Sequence, residues 1–159
     1  MTILNVAQRG EAILSIVASP VTQQEISSEW IKQLTSAMFD TMLERQGVGI
    51  AAPQVYVSKR IIIVASRPNL RYPDAPEMQP IVMINPEITQ HSEKTVVGEE
   101  GCLSVPNERG QVARAEVISV RYLNLEGHMV SQEFEGFPAR VVQHEIDHLD
   151  GILFVERIK

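Results

Sequence analysis

Apolar residues recur at four-residue steps between about Glu29 and Gln46, at Trp30, Leu34, Met38 and Met42, and predict a helix with one buried stripe. Ser27 and Ser28 precede it and Gly47 follows it, residue types that start and stop helices. From Arg60 to Ala65 the pattern becomes a continuous apolar run, Ile61-Ile62-Ile63-Val64, which predicts a buried strand. Further strand patterns follow at Ile81–Asn85, Lys94–Val97, Glu116–Tyr122 and Met129–Phe134, and the turn residues Glu126-Gly127 predict that the last two form a hairpin. Pro68, Pro73 and Pro76 break any regular pattern between Arg67 and Pro80, so this stretch reads as a loop excursion. Gly136 and Pro138 announce a second helix running to about Asp150, with Gly151 beyond its end. Strands first, a helix late and few β-α-β alternations predict an α+β fold rather than a doubly wound sheet. No repeat, low-complexity tract or linker divides the 159 residues, so one domain over 1–159 is expected.

Charge narrows the function classes. With 14 Lys+Arg against 20 Asp+Glu the net charge is −6, which argues against a nucleic-acid binder needing a clustered positive surface. No apolar run is long enough to cross a bilayer, and the short stretch Ile13–Ala18 is too brief for a signal peptide, so membrane attachment is not expected. The single cysteine, Cys102, excludes an internal disulfide framework. A cytoplasmic, reducing setting is the expectation, and it suits a functional thiol.

The strongest chemical signal is His144-Glu145-Ile146-Asp147-His148 inside the second helix. Residues four apart share a helix face, with Cβ atoms roughly 5–6 Å apart, so two imidazoles at that spacing can bind one metal ion. Glu145, one position round from His144, is poorly placed as a third ligand on that face and well placed to reach a water at an open metal position. Val142, Ile146 and Leu149 form one apolar stripe; Phe137, Val141, His144 and His148 form a second. The second stripe reads as a metal beside an apolar pocket, although a helix buried on both sides would show the same positions. A catalytic zinc or iron site wants a third protein ligand. The position that a third histidine occupies in one metallopeptidase group is Phe154 here, and Glu156 is the sole glutamate after His148, so the third ligand is expected upstream. Cys102, in Glu100-Gly101-Cys102-Leu103-Ser104, is the candidate: a lone cysteine is ordinarily a small buried apolar residue, but a two-histidine helix lacking a ligand reverses those odds.

Three motifs in order, Gly47-Val48-Gly49-Ile50-Ala51-Ala52-Pro53-Gln54, Glu100-Gly101-Cys102-Leu103-Ser104 and Gln143-His144-Glu145-Ile146-Asp147-His148, make the chain resemble the peptide deformylases over nearly its whole length. The resemblance implies mixed, mainly antiparallel strands packed around a central metal-binding helix. It implies hydrolytic removal of the N-formyl group from the initiator methionine of newly made polypeptides, with release of formate. It implies Cys102, His144 and His148 as ligands of one divalent ion, ferrous iron in cells with zinc, nickel or cobalt as replacements. Glu145 becomes the general acid–base, and the Gln54 amide and Leu103 N–H become donors to the formyl oxygen. Val48 and Leu103 join Phe137 and Val141 around the first substrate side chain, and the backbone at Gly49 pairs with the substrate as an added strand would. The partners implied are N-formylmethionyl nascent peptides. Ribosome association stays open, but without the long C-terminal docking helix of some members, since the chain stops at Lys159.

Other readings remain open at this level. A zinc metallopeptidase would cleave ordinary peptide bonds, a cysteine hydrolase would use Cys102 with His144 and Asp147, and a binding protein would use the same scaffold without turnover. Glu99 and Glu100 are either ordinary surface charges or partners of Arg109 or Arg114, and His91 and His128 are expected at the surface. The excursion between Arg67 and Pro80 is expected to border the substrate cleft.

Overall fold

The run Ile61–Val64 is the strand on which both halves of the core are built. In the structure, a computed structural model describing residues 1–158, it is β2 of seven strands: β1 (Gly49–Ala51), β2 (Ile61–Val64), β3 (Ile81–His91), β4 (Thr95–Cys102), β5 (Val105–Ala115), β6 (Val117–Leu123) and β7 (Met129–Glu135). The helices are α1 (Gln23–Ile26), α2 (Glu29–Glu44) and α3 (Gly136–Leu149), with short 3-10 turns at Ala12–Ser15, Ala52–Val55 and Phe154–Arg157. One sheet runs β1-β2-β3-β6-β7 and a separate pair is β4-β5, antiparallel throughout. The expected α+β class with mainly antiparallel strands is what the chain adopts. Among the described residues no helix is long and apolar enough to cross a membrane.

Successive strand residues point to opposite faces. Ile61 and Ile63 therefore join Ile31, Leu34, Met38 and Met42 of α2, while Ile62 and Val64 join Val141, Val142, Ile146 and Leu149 of α3. Cover on both faces is why β2 is apolar without alternation, and each fully buried aliphatic chain there contributes roughly 1.5–3 kcal/mol. A third, smaller cluster holds Cys102 with Ala7, Leu14, Val105, Val112, Leu153 and Phe154.

Helix α3 is enclosed on all sides: from Ala139 to Leu149 every residue but Gln143 is buried. Val142, Ile146 and Leu149 pack into the core, and the charged residues enclosed along the helix must find partners inside the protein. Gly151 (φ 77°) ends the helix, with its N–H donating to His148 O and the Ile152 N–H to Asp147 O, the pair of bonds that closes a left-handed C-terminus. A Cβ there would also lie 2.7 Å from Ser15 O, so glycine is required twice over.

Several boundaries differ from the sequence pattern. Ser28 caps α2 as expected, accepting from the Ile31 N–H, but Trp30 is 44% exposed and the buried stripe starts at Ile31. A strict four-residue step drifts off a 3.6-residue helix, so Trp30 falls outside the face that Leu34, Met38 and Met42 share. The left-handed residue after α2 is Gln46 (φ 58°), not Gly47, whose small size serves instead to admit Leu103 and Met42. Strands β3 and β4 run well beyond Asn85 and Val97, and β5 was not expected at all. Its Pro106–Gly110 stretch is polar and largely exposed, and pairing with β4 rather than apolar patterning makes it a strand.

Candidate metal centre

The motif residues converge from three elements. Helix α3 supplies His144, Glu145 and His148; the end of β4 supplies Cys102; the 3-10 turn after β1 supplies Gln54. Donor atoms of Cys102, His144 and His148 lie within 4.8 Å of one another, with Cys102 Sγ 3.3 Å from His148 Nε2. Metal–ligand bonds of about 2.0–2.3 Å place the donors of a tetrahedral site roughly 3.3–3.7 Å apart, so the trio fits a divalent ion with little movement. The two imidazoles meet edge to face, centroids 5.1 Å apart.

Charge supports the same fit. Burial pushes the Cys102 thiol up, but His148 and His144 beside it outweigh burial and hold it well below the ordinary thiol range, which favours the thiolate form that ligates a metal. His144 Nδ1 lies 2.9 Å from Glu100 Oε1, which holds the ring with its other nitrogen toward Cys102. Burial also dominates at Glu145, whose carboxyl is pushed up to about 7 against the pull of His144 and His148. Glu145 Oε1 and His148 Nδ1 are buried with no protein hydrogen-bond partner.

Nine of the ten residues singled out in the sequence line one cleft: Val48, Gly49, Gln54, Cys102, Leu103, Phe137, Val141, His144 and Glu145. His148, the tenth, sits beneath it at 1% exposure. Gln54 is fixed at both ends of its amide: Oε1 accepts from the Ala51 N–H at 2.9 Å, and Nε2 faces Ser104 Oγ at 3.1 Å and Cys102 Sγ at 3.6 Å. A Cβ on Gly49 would fall 2.7 Å from Glu145 Oε2 and 2.9 Å from Val141 Cγ1, so only glycine lets β1 approach the carboxylate this closely.

The structure also adds residues that the sequence left undecided. Glu99 pairs with Arg109 near the surface, whereas Glu100 is buried and bonded to Arg114, Arg140 and His144. Asp147, a possible partner for Cys102 and His144 in a cysteine hydrolase, instead binds Arg114 and Arg157. The excursion does border the cleft. Tyr72 OH accepts from the Gly101 N–H at 2.9 Å, its ring meets Phe137 at 5.0 Å, and Arg109 lies 4.8 Å above it. His91 and His128 are exposed, as expected.

The polypeptide deformylase family model matches residues 3–159. The chain belongs to the peptide deformylase family. Peptide deformylase activity, a hydrolysis that uses the metal-binding H-E-x-x-H motif of His144 and His148, goes with that membership. It is 48% identical over 157 residues to peptide deformylase 2 of Nostoc sp., covering 99% of this chain and 87% of that one. It is 49% identical over 154 residues to peptide deformylase 2 of Shewanella oneidensis, covering 97% and 83%. Among solved structures, the Met-Ala-Ser-bound class I type b peptide deformylase of Acinetobacter baumannii superposes with a TM-score of 0.97 at 66% identity, over 99% of both chains.

Acid sensitivity follows from Glu100. Burial pushes its carboxyl up, yet hydrogen bonds from Arg114 and His144 outweigh burial and hold it well below the ordinary carboxylate range. A depressed carboxyl adds stability that is present above the unfolded value and lost as pH falls through the folded one. The urea midpoint of the metal-free protein is therefore expected to drop as pH is lowered below 4.5. Glu145 acts in the opposite sense, weakening the fold as pH rises from 4.5 through about 7. Glu100→Gln is expected to cost about 3–5 kcal/mol at neutral pH, because two buried guanidinium groups lose their charge partner. An unchanged urea midpoint in that variant would contradict the network.

Proposed function

We propose that this chain removes the formyl group from N-formylmethionyl peptides, with Cys102, His144 and His148 holding one divalent ion and Glu145 moving the proton. The observation that carries the reading is the trio of donors gathered under a cleft, with the unpartnered Glu145 Oε1 beside them. When bound there, a divalent ion supplies Lewis acidity that activates a water and polarises the formyl oxygen. A thiolate with two imidazoles suits borderline divalent ions in general; ferrous iron in cells is proposed on the family resemblance, with zinc, nickel or cobalt as replacements.

The protein's own groups then divide the work. Glu145 accepts the proton of the attacking water and gives it to the departing amine, so that formyl-peptide plus water becomes formate plus free amino terminus. A carboxyl poised near neutrality by burial is suited to both halves of that transfer. The Gln54 amide, already aimed at Cys102, donates to the formyl oxygen together with the Leu103 N–H as charge grows there. Strand β1 is an edge of its sheet, and the peptide lies along it near Gly49 as an added strand. Val48, Leu103, Phe137 and Val141 form the apolar wall for the first side chain. The tripeptide Met-Ala-Ser held by the Acinetobacter relative begins with the side chain this wall would receive.

Two assays follow. Formylated and unformylated methionyl peptides compared side by side should give hydrolysis of the formyl bond alone; cleavage of the unformylated peptide would instead indicate a peptidase. Burying a thioether chain is worth roughly 1.5–3 kcal/mol, so formyl-Met peptides should exceed formyl-Gly peptides in kcat/KM by about one to two orders of magnitude. Equal values would mean that the apolar wall is core packing and not a pocket.

A further inference from the structure

A chain of charges runs from a metal-facing imidazole to the surface. Glu100 Oε1 accepts from His144 Nδ1 and from Arg114 Nη2, both at 2.9 Å; Oε2 accepts from Arg114 Nε at 2.9 Å and Arg140 Nη1 at 2.8 Å. Arg114 Nη1 donates to Asp147 Oδ2 at 2.6 Å. Arg157 closes the series, its Nε donating to Asp147 Oδ2 at 2.6 Å and its Nη2 to Oδ1 at 3.0 Å. The side chains of Glu100 and Arg114 are 3% and 4% exposed, but that of Arg157 is 44% exposed. The 3-10 turn that carries Arg157 also stacks Phe154 on His144, with centroids 6.0 Å apart and planes at 26°.

We propose that Arg157 is a positioning residue for His144, acting through Asp147, Arg114 and Glu100. The proposal rests on Cys102, His144 and His148 being the metal ligands. The two-pronged Arg157–Asp147 contact fixes the plane of the Asp147 carboxylate, whose terminal torsion is otherwise soft. That plane sets where Oδ2 meets Arg114, and Arg114 in turn grips both oxygens of Glu100. Glu100 decides which nitrogen of His144 carries the proton and how the ring is turned. Removing Arg157 leaves Asp147 still paired to Arg114, so no buried charge is orphaned. What is lost is the clamp at the outer end of the chain.

The test loads wild type, Arg157→Ala, Arg157→Lys and Arg60→Ala with cobalt(II), then follows release to excess chelator and the visible spectrum of the bound ion. Arg60 binds Leu149 O and Asp150 at the same end of α3 without touching the charge chain, which makes it the control for a loosened helix end. Arg157→Ala is expected to release cobalt about ten-fold faster than wild type and to alter its spectrum. Arg157→Lys, with the charge but not the fork, is expected to fall between, and Arg60→Ala to match wild type. Wild-type release and spectrum in Arg157→Ala would overturn the proposal, as would an equal acceleration in Arg60→Ala. Wild-type protein that binds no cobalt would overturn the ligand reading and this inference with it. Cobalt held by wild type and Arg157→Ala alike would overturn the inference alone.

Discussion

Glu145→Gln is expected to lower turnover of a formylated methionyl peptide by about 10²–10⁴-fold while leaving the metal in place. The amide keeps the shape of the carboxylate but cannot take up the water proton. The side chain is 4% exposed and lies against Gly49, so the substitution changes chemistry at a site whose packing is already fixed. It is not one of the three clustered donors, which is why metal content should not fall. Steady-state rates on protein matched for metal content make the measurement. Near wild-type turnover would remove Glu145 from the proton path.

Cys102→Ala should fail differently, at the level of metal affinity. Losing an outer partner of a metal ligand typically costs 10–100-fold in affinity, so losing one ligand of three should cost more than about 100-fold. The residue is 3% exposed and packs with Leu14, Val112 and Phe154, so alanine leaves only a small void while the donor disappears. Competition with a chelator of known affinity reads the loss directly. Equally tight, stoichiometric metal in that variant would disprove the donor set.

How much of this was legible in the chain differs from element to element. The metal donors are local signals: two histidines at helical spacing and a cysteine in a glycine-bounded motif keep their meaning without the fold. Strand β2 was equally plain, because burial on both faces leaves an unbroken apolar run. Strand β5 was hidden, since its exposed polar residues are held by pairing with β4, and pairing is a property of two segments at once. The same holds for Glu100. Its neighbours in sequence are Glu99 and Gly101, and nothing local separates the surface pair Glu99–Arg109 from the buried bonds of Glu100 to Arg114, Arg140 and His144. Arg140, Gln143, His144, Asp147 and His148 fall at i, i+3, i+4, i+7 and i+8, a polar stripe that reads from sequence as a solvent face. The fold encloses it, and its charges find partners of opposite sign inside. Tyr72 lay in a proline-broken segment without period, and only its contacts with Gly101 and Phe137 give it a place at the cleft.

The central claim, that a divalent ion on Cys102, His144 and His148 drives deformylation, is tested most directly by formate release from a formyl-Met peptide in three states of one preparation. The states are the protein as purified without oxygen, the same protein after complete metal removal, and the stripped protein given one equivalent of ferrous iron or nickel. The account predicts turnover in the first state, its loss in the second and its return in the third, in proportion to the metal bound. Formate release that survives complete metal removal would contradict it.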